Sequence, residues 1–460
     1  MMRWKQWMMG VMVSGGVLLG GRTTVMAAQL TTASSGNVTQ VAPQAARLKA
    51  GKPKKTAVRA KARKKGTKAT TKTATLTRKA TSSTKQPVKS KKVAAKSTKP
   101  KKRATVTVKK KRTPTAKAKA GTVKYVPLVG RGRYTKPHIH FKPTTEYLKT
   151  QGIQNKPSTI KSAGGYLDHY GFKTSLYLPQ SLNGRDLSVP QSAAFSADNR
   201  YLYVMYVNGK QPTNHYQDGW AVRYDWTKLM ALGANQSGKM GMLRTASADQ
   251  AQGKLTKLDR KVLACIKVGP VFNSGHAQSL ALNPKTNQFW FVKSYDQETP
   301  NEMVELNPKT LLPAAMVTYH SDGANLGAVL TFDNQGNAYY WTHAKVASKK
   351  APLGAVRIYR GKVSTKGIKY SLISQGLATD PGFYVQSMGY DGANGRLYLV
   401  SDESITSLPL ADLGHLKTSE VGENNFNAHR EFEGLFFMHH SSNGFLLTNK
   451  GSEVMQLVQS

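Results

Sequence analysis

The 460-residue chain has a single cysteine, Cys265, so no disulfide can form within it. It has no Asp or Glu before Glu146. Past Gly20 it has no apolar run approaching the roughly 20 residues that a bilayer span requires. Long stretches of helical amphipathic period are missing as well. These absences exclude a disulfide-stapled scaffold, a polytopic membrane protein and a helical bundle. They also isolate one segment: between Arg47 and Lys124 stand 30 Lys or Arg and no acid.

The rest of that tract is Ala, Thr, Pro and Val, with almost nothing large and apolar. It cannot bury enough surface to offset its ordering entropy. A solvated, self-repelling and disordered polycation is therefore expected over 47–124, after a Thr/Ser/Ala leader at 28–46. It supplies 30 of the net +44 charges, and the chain from 125 onward is moderately basic. Charge is densest at Lys54 and Lys55, at Arg63, Lys64 and Lys65, at Lys101, Lys102 and Arg103, and at Lys109, Lys110, Lys111 and Arg112. These are the candidate polyanion-binding residues. In composition the tract resembles linker-histone tails, which implies salt-sensitive binding of nucleic acid without sequence preference.

The start of the chain bears on which polyanion is met. Arg3 and Lys5 precede an apolar run from Met8 to about Gly20, and Val25-Met26-Ala27 offers small residues for a cut. This is the pattern of a secretory signal peptide over 1–27. A retained membrane anchor is the other reading, opposed by the short, Gly-rich run. No Cys lies near the cut, and Glu453–Ser460 carries no wall-sorting motif. Export without a covalent anchor is expected, as in Gram-positive bacteria. The polyanions outside such a cell are teichoic acid-like wall polymer, anionic membrane surface and released nucleic acid. Lys suits all three as a hydrated point charge. A pure spacer role for the tract stays open.

Residues 125–165 read as transitional, and 125–142 show little regular pattern. From about Tyr166 short alternating runs recur between Gly, Asn, Asp and Pro, which is all-β organisation. Five segments align: 191–204, 278–292, 326–341, 386–400 and 433–447. Each is an apolar strand, a polar turn and a second apolar or aromatic strand, with turn residues suited to hairpins. Third strands follow at 220–226, 303–306, 355–359, 405–408 and 454–458. Fourth strands precede most units, at 174–178, 262–268, 314–319 and 370–374. A five-bladed β-propeller over 166–460 is expected, with a two-sheet sandwich as the alternative. The outer strand of the last blade should come from before the first blade or from near Leu413–Val421. Cys265, in the alternating stretch 261–267, reads as a small buried apolar residue.

The first residues of a propeller's inner strands gather at one channel mouth. Here they are Gln191, His276 with Gln278, Asn325, Gln386 and Glu433, and His429 with Arg430 can reach the same place. Amides, an imidazole and a carboxylate can bind sugar hydroxyls or a cation; they can equally bond one another and water to close the ring. His138 and His140 share one side of a strand but lack a third metal ligand. His439 and His440 fall in an exposed turn. The run from Asp391 to Gly395 resembles a calcium loop without its terminal Glu and fits a hairpin turn better. A glycosidase needs two carboxylates, and only Glu433 lies on an inner strand. Phosphate loops, nucleophile elbows and zinc signatures are missing. No cofactor or metal is expected, and a monomer is.

Gly275-His276-Ala277-Gln278-Ser279, Val385-Gln386-Ser387-Met388 and Glu431-Phe432-Glu433-Gly434 resemble inner strands of the helveticin J-like proteins. These are heat-labile bacteriocins and related secreted propellers of lactobacilli. The resemblance covers scattered blocks and leaves the Lys-rich tract outside. It implies a secreted five-bladed propeller acting at cell envelopes, with His276, Gln278, Gln386 and Glu433 at the mouth. Three functions remain in view: an envelope-associated binding protein, a bacteriocin-like effector, and a glycan hydrolase using Glu433.

Overall fold

The computed structural model describes residues 146–211, 217–293, 301–321, 329–343, 353–382 and 384–459, with two short strands, Gly121–Val123 and Arg133–Thr135. All lie in the second of two compact units, 103–460. The signal peptide, the leader, the candidate polyanion-binding residues, His138, His140 and Asn325 lie outside the described residues.

The described chain is a five-bladed β-propeller. Its inner strands are Pro190–Phe195, Leu280–Asn283, Thr331–Phe332, Ser387–Asp391 and Phe432–Phe437, each beside the next around a ring. We number the blades 1 to 5 in that order. Each inner strand pairs antiparallel with an apolar or aromatic second strand: Tyr201–Val207, Gln288–Val292, Ala338–His343, Arg396–Ser401 and Gly444–Thr448. Third strands are Asp218–Asp225, Asn301–Asn307, Val356–Ser364, Ser404–Pro409 and Glu453–Gln459.

Both faces of the inner strands, and of most of each second strand, are buried, because each blade packs against two neighbours. The cores accordingly lie between blades. Trp290, Tyr340 and Trp341, each no more than 1% exposed, fill the space shared by blades 2, 3 and 4. Phe195 joins blade 1 to Phe436 and Phe445 of blade 5 through ring contacts at 5.5 and 5.3 Å. Offset and edge contacts of this kind add to the burial itself.

The fourth strands belong to the blade before the one they precede in sequence. Ile266–Val268 edges blade 1, Leu312–Ser321 blade 2, and Gly367–Leu372 with Gln375–Leu377 blade 3. Gly422–Phe426, just past the stretch 413–421, edges blade 4. Tyr170–Tyr177, from before the first blade, pairs with Glu453–Gln459 and closes the ring. Of the two sources expected for that strand, the first supplies it. Ser162–Tyr166 and Thr159–Ile160 add fifth strands to blades 4 and 5, so regular pairing begins ahead of Tyr166. Gly121–Val123 and Arg133–Thr135 pair parallel with the outer strands of blades 2 and 3, giving order to short pieces of the basic and transitional stretches.

Between the third and outer strands of blade 1 the chain makes three short helices, Trp226–Ala231, Met242–Ala251 and Lys257–Leu263. The expected strand over 262–268 thus shrinks to its last residues. Thr256 and Asp259 form a capping box, each side chain accepting the other's backbone N–H at 2.8–3.1 Å, and this starts a helix where alternation suggested a strand. Cys265 is buried at its end, and burial pushes its thiol pKa up, which keeps it unreactive.

Candidate functional site

The inner strands of all five blades line a central channel whose cavity volume is about 70 Å³. Ligand pockets run to about 300–1,000 Å³, so the channel is too small for a sugar ring. Any larger ligand must sit at a mouth.

At the mouth where inner strands begin, Gln191, Gln278, Gln386 and Glu433 are each 8% exposed or less. Gln191 and Glu433 occupy the shifted positions of two β-bulges, between Pro190 and Ser192 and between Phe432 and Gly434. A bulge re-aims the extra residue. Gln278 Nε2 donates to Gln386 Oε1 at 2.6 Å, joining blades 2 and 4. Gln386 Nε2 donates to Asp402 Oδ1 at 2.9 Å, and the same oxygen accepts Phe432 N–H at 2.8 Å, reaching blade 5. Gln191 Nε2 turns back to the Pro190 carbonyl instead. Two of the aligned glutamines therefore bond each other. His276 is half-buried, and desolvation brings its pKa down to about 4. His429 is exposed, in the left-handed region at φ 53°.

Asp402 is the residue that the repeat pattern concealed. It sits in the tight turn between Arg396–Ser401 and Ser404–Pro409, yet is 5% exposed and accepts bonds from three parts of the chain. Burial raises its pKa to about 6, with Glu431 adding to the rise and its hydrogen bonds opposing it. Glu433 is pushed well above the ordinary range by burial first, then by Glu431 and Asp402; a 2.6 Å bond from Asn449 Nδ2 works the other way. Glu431 pairs with Lys450 Nζ at 2.9 Å. Glu433 thus has carboxylate company after all, from Asp402 in a turn and from Glu431 just ahead of its own strand.

A strap lies over this cluster. Tyr147 OH donates to Asp402 Oδ2 at 2.5 Å, Leu148 N–H to the His429 carbonyl at 2.7 Å, and Thr150 N–H to the Lys450 carbonyl at 2.9 Å. Arg244, from the helix Met242–Ala251, donates to the carbonyls of Thr150, Gly152 and Leu178 and lies 4.8 Å from the Tyr177 ring centroid. No local pattern linked Tyr147 with Asp402, 255 residues away. The strap lies within the transitional segment 125–165, at the start of the continuously described stretch 146–211.

Arg430 serves the frame rather than the mouth. Its Nη2 meets Glu453 Oε1 at 3.1 Å and Thr448 Oγ1 at 2.7 Å, with side-chain exposures of 5% and 0% for the ion pair. Glu453 Oε2 accepts from Ser158 and Thr174, so blade 5 is tied to its closing strand. His439 is half-buried with Nε2 3.4 Å from the Phe195 carbonyl; only His440 is exposed as expected. The oxygens of Asp391 accept from Ala393, Asn394 and Ser442, which makes this loop a hairpin turn and not a cation cradle. Among the described residues no three His, Cys, Asp or Glu are grouped to hold a metal. Nor, among them, is any helix long and apolar enough to cross a membrane.

The mouth can therefore do two things when uncovered. It offers carboxyl and amide oxygens to hydroxyl or ammonium donors, and it holds two carboxyls with raised proton affinity. Comparison with known proteins adds no third property: the chain matches no protein-family model and no curated protein.

Proposed function

We propose that this is an exported, envelope-associated binding protein. The polycationic tract holds it on anionic wall polymer, and the strapped mouth of the propeller recognises a glycan or protein. The observation that carries this reading is the division of charge: 30 cations without one acid over 47–124, beside a propeller rich in buried carboxylates. A polycation of this kind gains affinity for phosphate-bearing polymers by releasing counterions. The narrow channel and the burial of Glu433 and Asp402 favour binding over hydrolysis.

The test is cell fractionation with and without molar salt, on the full chain and on a variant lacking 47–124. Full-length protein should stay with whole cells at low salt and be released at high salt. The shortened protein should be in the medium under both conditions. Retention that is indifferent to both salt and deletion overturns the proposal.

A further inference from the structure

The strap over the mouth is anchored unevenly. From Thr150 onward it is fixed. The buried guanidinium of Arg244 donates to the carbonyls of Thr150 and Gly152. Gly238 N–H bonds the Asn155 carbonyl at 2.7 Å, and Tyr177 OH bonds the Lys156 carbonyl at 2.9 Å. Thr150 N–H also bonds the carbonyl of Lys450, in the turn between the second and third strands of blade 5. Ahead of Thr150 the hold is different: Tyr147 OH on Asp402 Oδ2 and Leu148 N–H on the His429 carbonyl. Leu148 is 61% exposed and Lys149 is exposed as well, so neither side chain packs this end down.

Beneath this end stand Asp402 and Glu433, both buried, with Glu431 adding to the burial that raises the pKa of each. Keeping carboxyls covered within reach of one another opposes the closed arrangement. The Tyr147 bond favours it, and is charge-assisted whenever Asp402 is ionised. A short segment set between two opposing effects, without apolar anchorage and joined to a fixed hinge, is what local opening requires. Tyr384 stands beside the same carboxylates: burial, then Asp402 and Glu431, push its pKa up. The other oxygen of Asp402 is kept by Gln386 and by the Phe432 N–H, so lifting Tyr147 bares Oδ2 without undoing the turn that carries it.

We propose that Tyr147 to Lys149 form a gate on the propeller mouth, hinged at Thr150 and latched by the Tyr147 hydroxyl on Asp402, and that opening it presents Asp402 Oδ2 to a ligand. The gate controls access to the mouth as the recognition end and in that respect rests on the function proposed above.

Access to the mouth can be measured chemically. Full-length protein is treated with a water-soluble carbodiimide and glycine ethyl ester, which convert accessible carboxyls to amides, and each site is read by peptide mass spectrometry. Tyr147→Phe keeps the ring and removes the latch. It should speed modification of Asp402 about fivefold or more, the scale of one charge-assisted bond. Glu453, buried and paired with Arg430, should be unaffected. Amide hydrogen exchange on the same two proteins gives a second reading. Leu148 N–H should exchange faster than Thr150 N–H, and the gap should widen in Tyr147→Phe. Equal modification of Asp402 in both proteins overturns the proposal, as does joint exchange of Leu148 and Thr150. Acceleration at Glu453 too would mean general loosening and overturns it as well. Neither readout involves the envelope: a gate that fails here leaves salt-sensitive retention standing, and retention indifferent to salt leaves the gate standing.

Discussion

The two ends of the propeller are held together by different chemistry. At the end where inner and second strands turn into each other, blades are stitched mainly by asparagine side chains, with the buried Asp391 carboxylate also accepting from Ser442 of blade 5. Asn199 exchanges two bonds with the backbone of His439, at 3.0 and 2.8 Å, joining blades 1 and 5. Asn334 reaches the Gly392 carbonyl at 2.8 Å and Asn394 reaches Ser442 at 2.8 Å, joining blades 3, 4 and 5. At the other end sit Asp402, Glu403, Glu433, Arg430 and Glu453, each 6% exposed or less. Adhesion between blades needs only what the first end has. Burying ionisable groups opposes folding unless they are matched, so the charged end carries a burden that the ring itself does not demand.

The comparison breaks most visibly at Arg430. Arg430→Ala strands the Glu453 carboxylate in the interior, and a loss of about 3–5 kcal/mol is expected. Denaturant unfolding measures it; a loss below about 1 kcal/mol would mean that the charged end carries no such burden. The next effect is one of pH. Asp402 has a folded pKa of about 6, above its ordinary value. Its contribution to stability is therefore complete below about pH 4 and fades as pH rises through 6. Over that window the native protein should lose up to ~3 kcal/mol through this group, with Glu433 acting in the same direction. Asp402→Asn should flatten the profile of unfolding midpoint against pH between 4 and 6, and an unchanged slope would contradict the assignment. The smallest effect belongs to the end stitched by asparagines. Asn199→Ala removes both bonds to His439 and places Ala at φ 56°, for a combined cost of about 1–2 kcal/mol. Asn199→Gly, which tolerates that φ, should cost less, and neither should alter the pH profile.

Much of the fold was legible in the sequence because a propeller repeats its simplest unit. An apolar strand, an Asn- or Gly-containing turn and an aromatic strand recur five times, and the turn residues Asp333 and Asp391 act locally by binding backbone N–H groups within their own loops. The glutamines at inner-strand starts were legible for the same reason. Long-range partners were not. Tyr147 and Asp402 lie in a strap and a turn that belong to no repeat, and burial rather than sequence makes them neighbours. The helices between Trp226 and Leu263 escaped because they interrupt a blade, and the capping pair Thr256 and Asp259 was a weak local signal against strand-like alternation.

Pairing of Tyr170–Tyr177 with Glu453–Gln459 has a consequence for biogenesis. The circle cannot shut until the final seven-residue strand has been synthesised and has found its mate almost three hundred positions earlier. Until then blade 5 lacks its edge, and Glu453 lacks Thr174 and Ser158. The ring is thus locked by a contact of very high sequence separation, the kind that forms late in folding because loop-closure entropy must be met first.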